Sequence, residues 1–201
     1  MGPRPILALL VAFALGSPAF AGEGSIRDAD RDRIARLDEH LGRAVREAFA
    51  RGEADALDIL GDALSGAAIS PGSAPLEGEW SCRTIKMGDL VPIVAYGNFR
   101  CAIAAMGPGH WTLTKLTGSQ RTRGDLNTRE GGVIVYLGVG HVGAEPATDY
   151  AGLPPDDDSP VEPNQSVADI GLFEQMSGDR ARLLQPDPVL ESRFDILYLT
   201  R

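Results

Sequence analysis

Two periods of hydrophobicity divide the chain. Between Ser25 and Arg51, residues Ile34, Leu37, Leu41, Ala44/Val45 and Ala48/Phe49 recur at three- and four-residue steps, which puts them on one face of a helix. Arginines and carboxylates fill the other face, often in pairs such as Asp32 with Arg36 and Arg43 with Glu47, and His40 falls on that polar side. Ser25, Asp28 or Asp30 can cap the start, and Gly52 stands where a left-handed C-terminal cap belongs. A second helix, Ala54 to Leu64, turns Leu57, Leu60 and Leu64 inward and stops at Gly66. Residues 22–66 therefore read as a helical hairpin with one apolar face per helix. Such a face needs a cover, either the domain that follows or a docked partner.

Residues 67–75 carry Ser, Gly and two prolines without a period and read as a linker. From Glu79 the period becomes two. The alternation predicts strands at Glu79–Lys86, Asn98–Met106, His110–Thr117, Gln120–Asn127, Gly132–Gly140, Val167–Ser177, Arg180–Leu184 and Arg193–Thr200. The breaks hold turn residues such as Pro108-Gly109, Gly118 and Gly178-Asp179. Eight strands with mostly short connections make residues 76–201 an antiparallel, lipocalin-like β-barrel or a strongly coiled sheet, and the whole an α+β protein. A barrel of that size holds a filled core or one small ligand.

Cys82 alternates with Trp80 and Thr84, and Cys101 with Phe99 and Ile103, on neighbouring strands. A Cys82–Cys101 disulfide follows, restricting the unfolded chain by about 3 kcal/mol. An even cysteine count without a CxxC spacing fits an oxidising compartment. The first 21 residues agree: Arg4, an apolar run from Ile6 to Leu15 too short to cross a bilayer, and Ala19-Phe20-Ala21 make an export signal cleaved after Ala21. A periplasmic or secreted protein with no transmembrane segment is expected. The formal net charge is −9, and one unit more negative once Arg4 leaves. That balance argues against nucleic acid and anionic membranes as partners.

Candidate chemistry is sparse. Arg121 and Arg123 alternate onto one face of a tight hairpin, and Lys115 and Arg83 join them if the strands are adjacent or the barrel closes. This reads either as an anion site or as a charged outer face. The stretch Met87–Gly97 is apolar for a hairpin loop. It either folds over the barrel mouth, presenting Leu90, Ile93 and Tyr96 to a ligand or partner, or extends the strands around an edge-compatible Pro92. The acidic, proline-rich stretch 143–166 reads as a solvated loop without EF-hand spacing. His110 and His141 show no zinc signature, and no nucleophile elbow, Walker or dinucleotide glycine pattern occurs, so neither a metal nor a cofactor is expected.

The order of motifs DADRDRIARLDE, WSCRTIKMGDLVPIVAYGNFRC, LTKLTGSQRTRG, VIVYLGVG and LLQPDPVLESRFDILYL resembles an uncharacterised family of exported bacterial proteins, domain of unknown function 4893. That resemblance implies export and brings no activity. The opening Gly78-x-Trp80 and the first-hairpin disulfide are also similar to lipocalin-like proteins and to periplasmic protease-inhibitor barrels. The expected function is a non-enzymatic binding or interaction module, its partner an envelope protein or a small apolar ligand. The alternative is a hydrolase or other enzyme with a polar site at the barrel mouth, which needs His110 or His141 beside a carboxylate.

Overall fold

The period-two stretches become nine antiparallel strands in a computed structural model that describes residues 25–201. The expected export signal and its cleavage site at Ala21 lie outside the described residues. The strands are β1 (Gly78–Gly88), β2 (Val91–Ala95), β3 (Phe99–Gly107), β4 (His110–Lys115), β5 (Gln120–Thr128), β6 (Ile134–Val142), β7 (Val167–Gln175), β8 (Arg180–Pro186) and β9 (Phe194–Thr200). From β3 to β9 each strand lies beside the next, and β1 pairs with both β3 and β9. The sheet is a closed eight-stranded barrel with β2 as a ninth strand, not an open coiled sheet.

The ninth strand comes from the apolar stretch after Met87. β1 runs on to Gly88, the chain reverses at Asp89 (φ 63°), and Val91–Ala95 pairs back onto Ile85–Gly88. Its register skips at Pro92, where a missing N–H loses no ladder bond. β2 and β3 thus lie one after the other along the same side of β1, broken at residues 96–98. The extended-strand reading holds for this stretch, and it is no lid.

Alternation sorts the side chains into an inside and an outside. Trp80, Cys82, Cys101, Ile103, Trp111 and Leu113 join residues of β5 to β9 in one apolar cluster that fills the barrel toward one end. The Cys82–Cys101 disulfide, with Cα atoms 5.9 Å apart, lies within it. Outward residues of β1, β2, β8 and β9, among them Ile85, Met87, Ile93 and Phe194, meet the apolar faces of two helices. Strands β1, β8 and β9 are therefore buried on both faces, so the barrel core continues outward into a second layer.

The helices are α1 (Asp28–Ala35), α2 (Leu37–Arg51) and α3 (Ala54–Leu64). The single helix expected over 25–51 breaks at Arg36, where ψ is 20°. Leu37, Ala44, Ala48 and Leu60, from the faces read as apolar, meet the barrel, and Ala63 joins them. Three details differ from the expectation. Phe49 is 63% exposed, His40 is buried, and Gly52 is extended (φ −79°) rather than left-handed. Gly52 lacks a side chain for another reason: a Cβ there would stand 2.5 Å from Ile93 Cγ2 and from the Ala48 carbonyl.

Residues 143–166 are not a freely solvated loop. Tyr150 and Leu153 are buried against Val135, Leu137, Val139 and Ile170, with Ile34 packed nearby. Arg27 donates to the carbonyls of Pro154 and Asp157 and to Asp158, and the Tyr150 hydroxyl donates to fully buried Asp30 at 2.7 Å. Asp30 also pairs with Arg27 and Arg33 at 2.7 and 2.8 Å. The segment just before and within α1 therefore clamps this long connection to the barrel wall.

Candidate functional site

The end of the barrel opposite the tryptophans is polar. The inward face of β1 changes character along its length, from Trp80 and Cys82 to Thr84 and Lys86. Neighbouring strands add Lys115 from β4, Gln120 and Thr122 from β5, Asp169 from β7, Gln185 from β8 and Asp195 from β9. These groups surround a half-open cavity of about 140 Å³, with Val167 and Leu197 on its walls. Pro188, Val189, Leu190 and Glu191 border it as a strap between β8 and β9. Asp187 and Glu191, toward either end of the strap, have φ of 44° and 72°. A second hollow shares Thr84, Lys86, Lys115, Gln120 and Glu191 and adds Tyr96 and Phe99. The two lysines therefore stand between two openings.

The lysines are held differently. Lys86 Nζ donates to Glu191 Oε2 and Gln120 Oε1, each at 2.9 Å, and Gln120 Nε2 donates to the same Glu191 oxygen at 3.0 Å. This triad ties the strap to the barrel. Burial acts to lower the Lys86 amine, but Asp195 and Glu191 outweigh it and hold the pKa above the ordinary value. Lys115 Nζ donates to Thr84 Oγ1 at 3.1 Å and to the Gln120 carbonyl at 2.9 Å, and sits 4.2 Å from the centre of the Phe99 ring. Among the described residues no carboxylate forms an ion pair with it. Burial, then the charge of Lys86, bring its pKa down to about 8.

The acids shift the other way. Burial pushes Asp195 up to about 7 despite the attraction of Lys86 and a 2.6 Å hydrogen bond from Ser192 Oγ. Burial also raises Asp169, although Gln185 donates to it. Beneath them Thr122 Oγ1 and the fully buried Tyr136 hydroxyl lie 2.7 Å apart. A Cβ on Gly138 would come within 2.2 Å of that hydroxyl, so a side chain there would displace Tyr136. The mouth thus holds one amine, Lys115, and one carboxyl, Asp195, that burial brings close to neutrality, beside a fixed Lys86 cation and an Asp169 raised from its ordinary value, the condition for proton-linked binding or acid–base work.

The residues singled out from sequence scatter. Lys115 lines the cavity, Arg121 stands at its rim with Nε donating to the Gly118 carbonyl, and Tyr96 borders the second hollow. Arg83 donates outside the barrel to Asn98, and Arg123 pairs across the outer face with Glu145 at 3.4 Å. Leu90 is 78% exposed at the β1–β2 turn, whereas Ile93 is packed under the helices. The four cations therefore do not converge: alternation sends Arg83, Arg121 and Arg123 outward and Lys115 inward.

His110 pairs with Asp125 at 3.2 Å on the outside, away from the mouth cavity. His141 borders the cavity, is buried, and has no hydrogen-bond partner at Nδ1. No group of three or more metal-ligating side chains occurs among the described residues.

Lys86, Gln120, Asp169, Gln185, Glu191 and Asp195 were not found by motif. One signal in the sequence pointed to the place. Only two of the 19 basic residues are lysines, Lys86 and Lys115, and both are buried at this mouth. Every other cation is arginine. Lysine and arginine are not equivalent inside a protein, because the amine can lose its proton and the guanidinium cannot.

No curated protein and no solved structure matches the chain, so the likeness to lipocalin-like and protease-inhibitor barrels gains no support there. A family model described as a domain of unknown function, DUF4893, matches residues 23–199, and the chain belongs to that family.

Proposed function

We propose that the protein is a binding module for a small anionic molecule, such as a short carboxylate, held in the barrel mouth. The observation that carries this reading is Lys115, a buried amine that lines a half-open cavity and forms no ion pair with a carboxylate among the described residues. An anion entering the cavity supplies the missing counter-charge. Asp169 and Asp195, once protonated, can donate to its oxygens, and Val167, Val189, Leu190 and Leu197 can cover a short apolar tail. A cavity near 150 Å³ holds a molecule the size of benzene, so the ligand has roughly six to ten heavy atoms. The charges favour this over the small apolar ligand expected from sequence. The disulfide and the lack of any described helix able to cross a membrane are compatible with export, and we place the protein in the periplasm.

The test is a thermal-shift and native-mass-spectrometry panel of short carboxylates, inorganic phosphate and neutral alcohols against wild type and Lys115→Met. Carboxylates should stabilise wild type, with the effect lost in Lys115→Met and retained in Arg123→Ala. Bound anion favours the protonated forms of Lys115 and Asp195, so binding takes up protons. Affinity should therefore fall as pH rises through about 7 to 8. Equal shifts for carboxylates and alcohols, or no loss in Lys115→Met, would remove the anion reading.

A further inference from the structure

We propose that Lys115 Nζ is a reactive amine that condenses reversibly with the carbonyl of a small aldehyde or ketone bound in the mouth cavity. The inference rests on the mouth being a ligand site and names chemistry that simple binding does not need. Three observations carry it. Lys115 lines an open cavity, so its amine can meet a solute. Among the described residues it forms no ion pair, so no carboxylate in direct contact holds its proton in place. Its neighbour Lys86 is the chain's other lysine, and Glu191 and Gln120 fix that amine as a charged group. A desolvated amine beside a fixed cation is the arrangement that activates lysine toward carbonyls. With a pKa of about 8 against an ordinary 10.5, Lys115 holds roughly 300-fold more neutral amine at pH 7 than an ordinary lysine.

The chemistry balances without an added redox partner. The Nζ lone pair forms a C–N bond while the carbonyl π pair moves to oxygen, which takes a proton as nitrogen gives one up. The C–O bond of that carbinolamine then breaks, oxygen leaves as water after taking a second proton, and a C=N imine remains. Asp195, titrating near 7 on the cavity wall, is the group suited to give and recover that proton. The charged groups that line the cavity with Lys115 are Lys86 from β1, Asp169 from β7, Asp195 from β9 and Glu191 from the strap, with Arg121 of β5 at its rim.

The test is reductive trapping of the full folded protein with sodium cyanoborohydride, using propanal and glyoxylate as probes and peptide mass spectrometry as the readout. The expected result is one adduct on Lys115, heavier by the probe less one oxygen atom, formed at a rate that inflects near pH 8. Lys86 should be labelled at least about tenfold more slowly, given the difference in protonation. Removing the neighbouring charge in Lys86→Met should move the inflection upward, a change that a merely structural role for Lys86 would not produce. Lys115→Arg, which keeps the charge, should show no mouth adduct. Absence of a Lys115 adduct while carboxylates still stabilise the protein would overturn this inference and leave the binding reading standing. Absence of both would overturn both, and equal labelling of the two lysines would refute the assignment to Lys115.

Discussion

Replacing Lys115 by Met should make the protein more stable at neutral pH, an unusual direction for a buried substitution. A folded-state pKa of about 8 against 10.5 means that keeping the amine charged at pH 7 opposes folding by about 3 kcal/mol. Methionine has a similar length and needs no hydration. It forfeits the bonds to Thr84 Oγ1 and the Gln120 carbonyl, worth about 1 kcal/mol each. The net expectation is a gain of about 1–2 kcal/mol at pH 7, or a few degrees in Tm. The sign of the pH dependence follows from proton counts. Between pH 8 and 10.5 the unfolded chain holds the Lys115 proton and the folded chain does not, so the opposing contribution fades as pH rises. By pH 9.5 the advantage of Lys115→Met should shrink to about zero. Urea denaturation of both proteins at pH 7 and 9.5 measures this, and the paired cysteines leave no free thiol to exchange at the higher pH. A variant less stable than wild type at pH 7, or a difference unchanged by pH, would refute the description of Lys115 as a desolvated, unpaired cation. A residue that weakens the fold in this way is one expected to be retained for function.

Other parts of the fold make separate claims. Cys82→Ala with Cys101→Ala should lower stability by about 3 kcal/mol in urea denaturation, since the bridge closes a loop between residues 19 apart. Asp30→Ala strands Arg27 and Arg33 without their buried counter-ion. It should cost about 3–5 kcal/mol and speed hydrogen exchange across residues 143–166, which α1 anchors. Gly52→Ala should cost about 1–3 kcal/mol in thermal denaturation, because its Cβ meets both Ile93 and the Ala48 carbonyl.

What the sequence made legible followed from local rules. Trp80, Cys82, Phe99 and Cys101 alternate over two neighbouring strands, so their shared side and their disulfide could be read directly. The same alternation placed all eight barrel strands to within a few residues. The mouth was harder to read, because Lys86, Lys115, Asp169 and Asp195 come from four strand ends spread over more than half of the chain, and only barrel closure brings them together. Lys86 continues the inward face of Trp80 and Cys82, yet a lysine at a strand end reads as a solvated residue until the ring is closed. His40 and Gly52 were misread because helix-surface rules ignore what packs against the surface. The contacts of Tyr150 and Leu153 depend on an N-terminal segment more than a hundred residues away, which no local pattern reports.

With only two lysines in the chain, their amines can be observed one at a time. Selective isotope labelling of lysine side chains, followed by an NMR pH titration with and without a short carboxylate, tests the barrel mouth as a site most directly. One resonance, assigned to Lys115 by its loss in Lys115→Met, should titrate near pH 8, and the other should titrate above the ordinary lysine value. Added carboxylate should move the Lys115 titration upward. Two resonances titrating together at the ordinary value, indifferent to carboxylate, would contradict it.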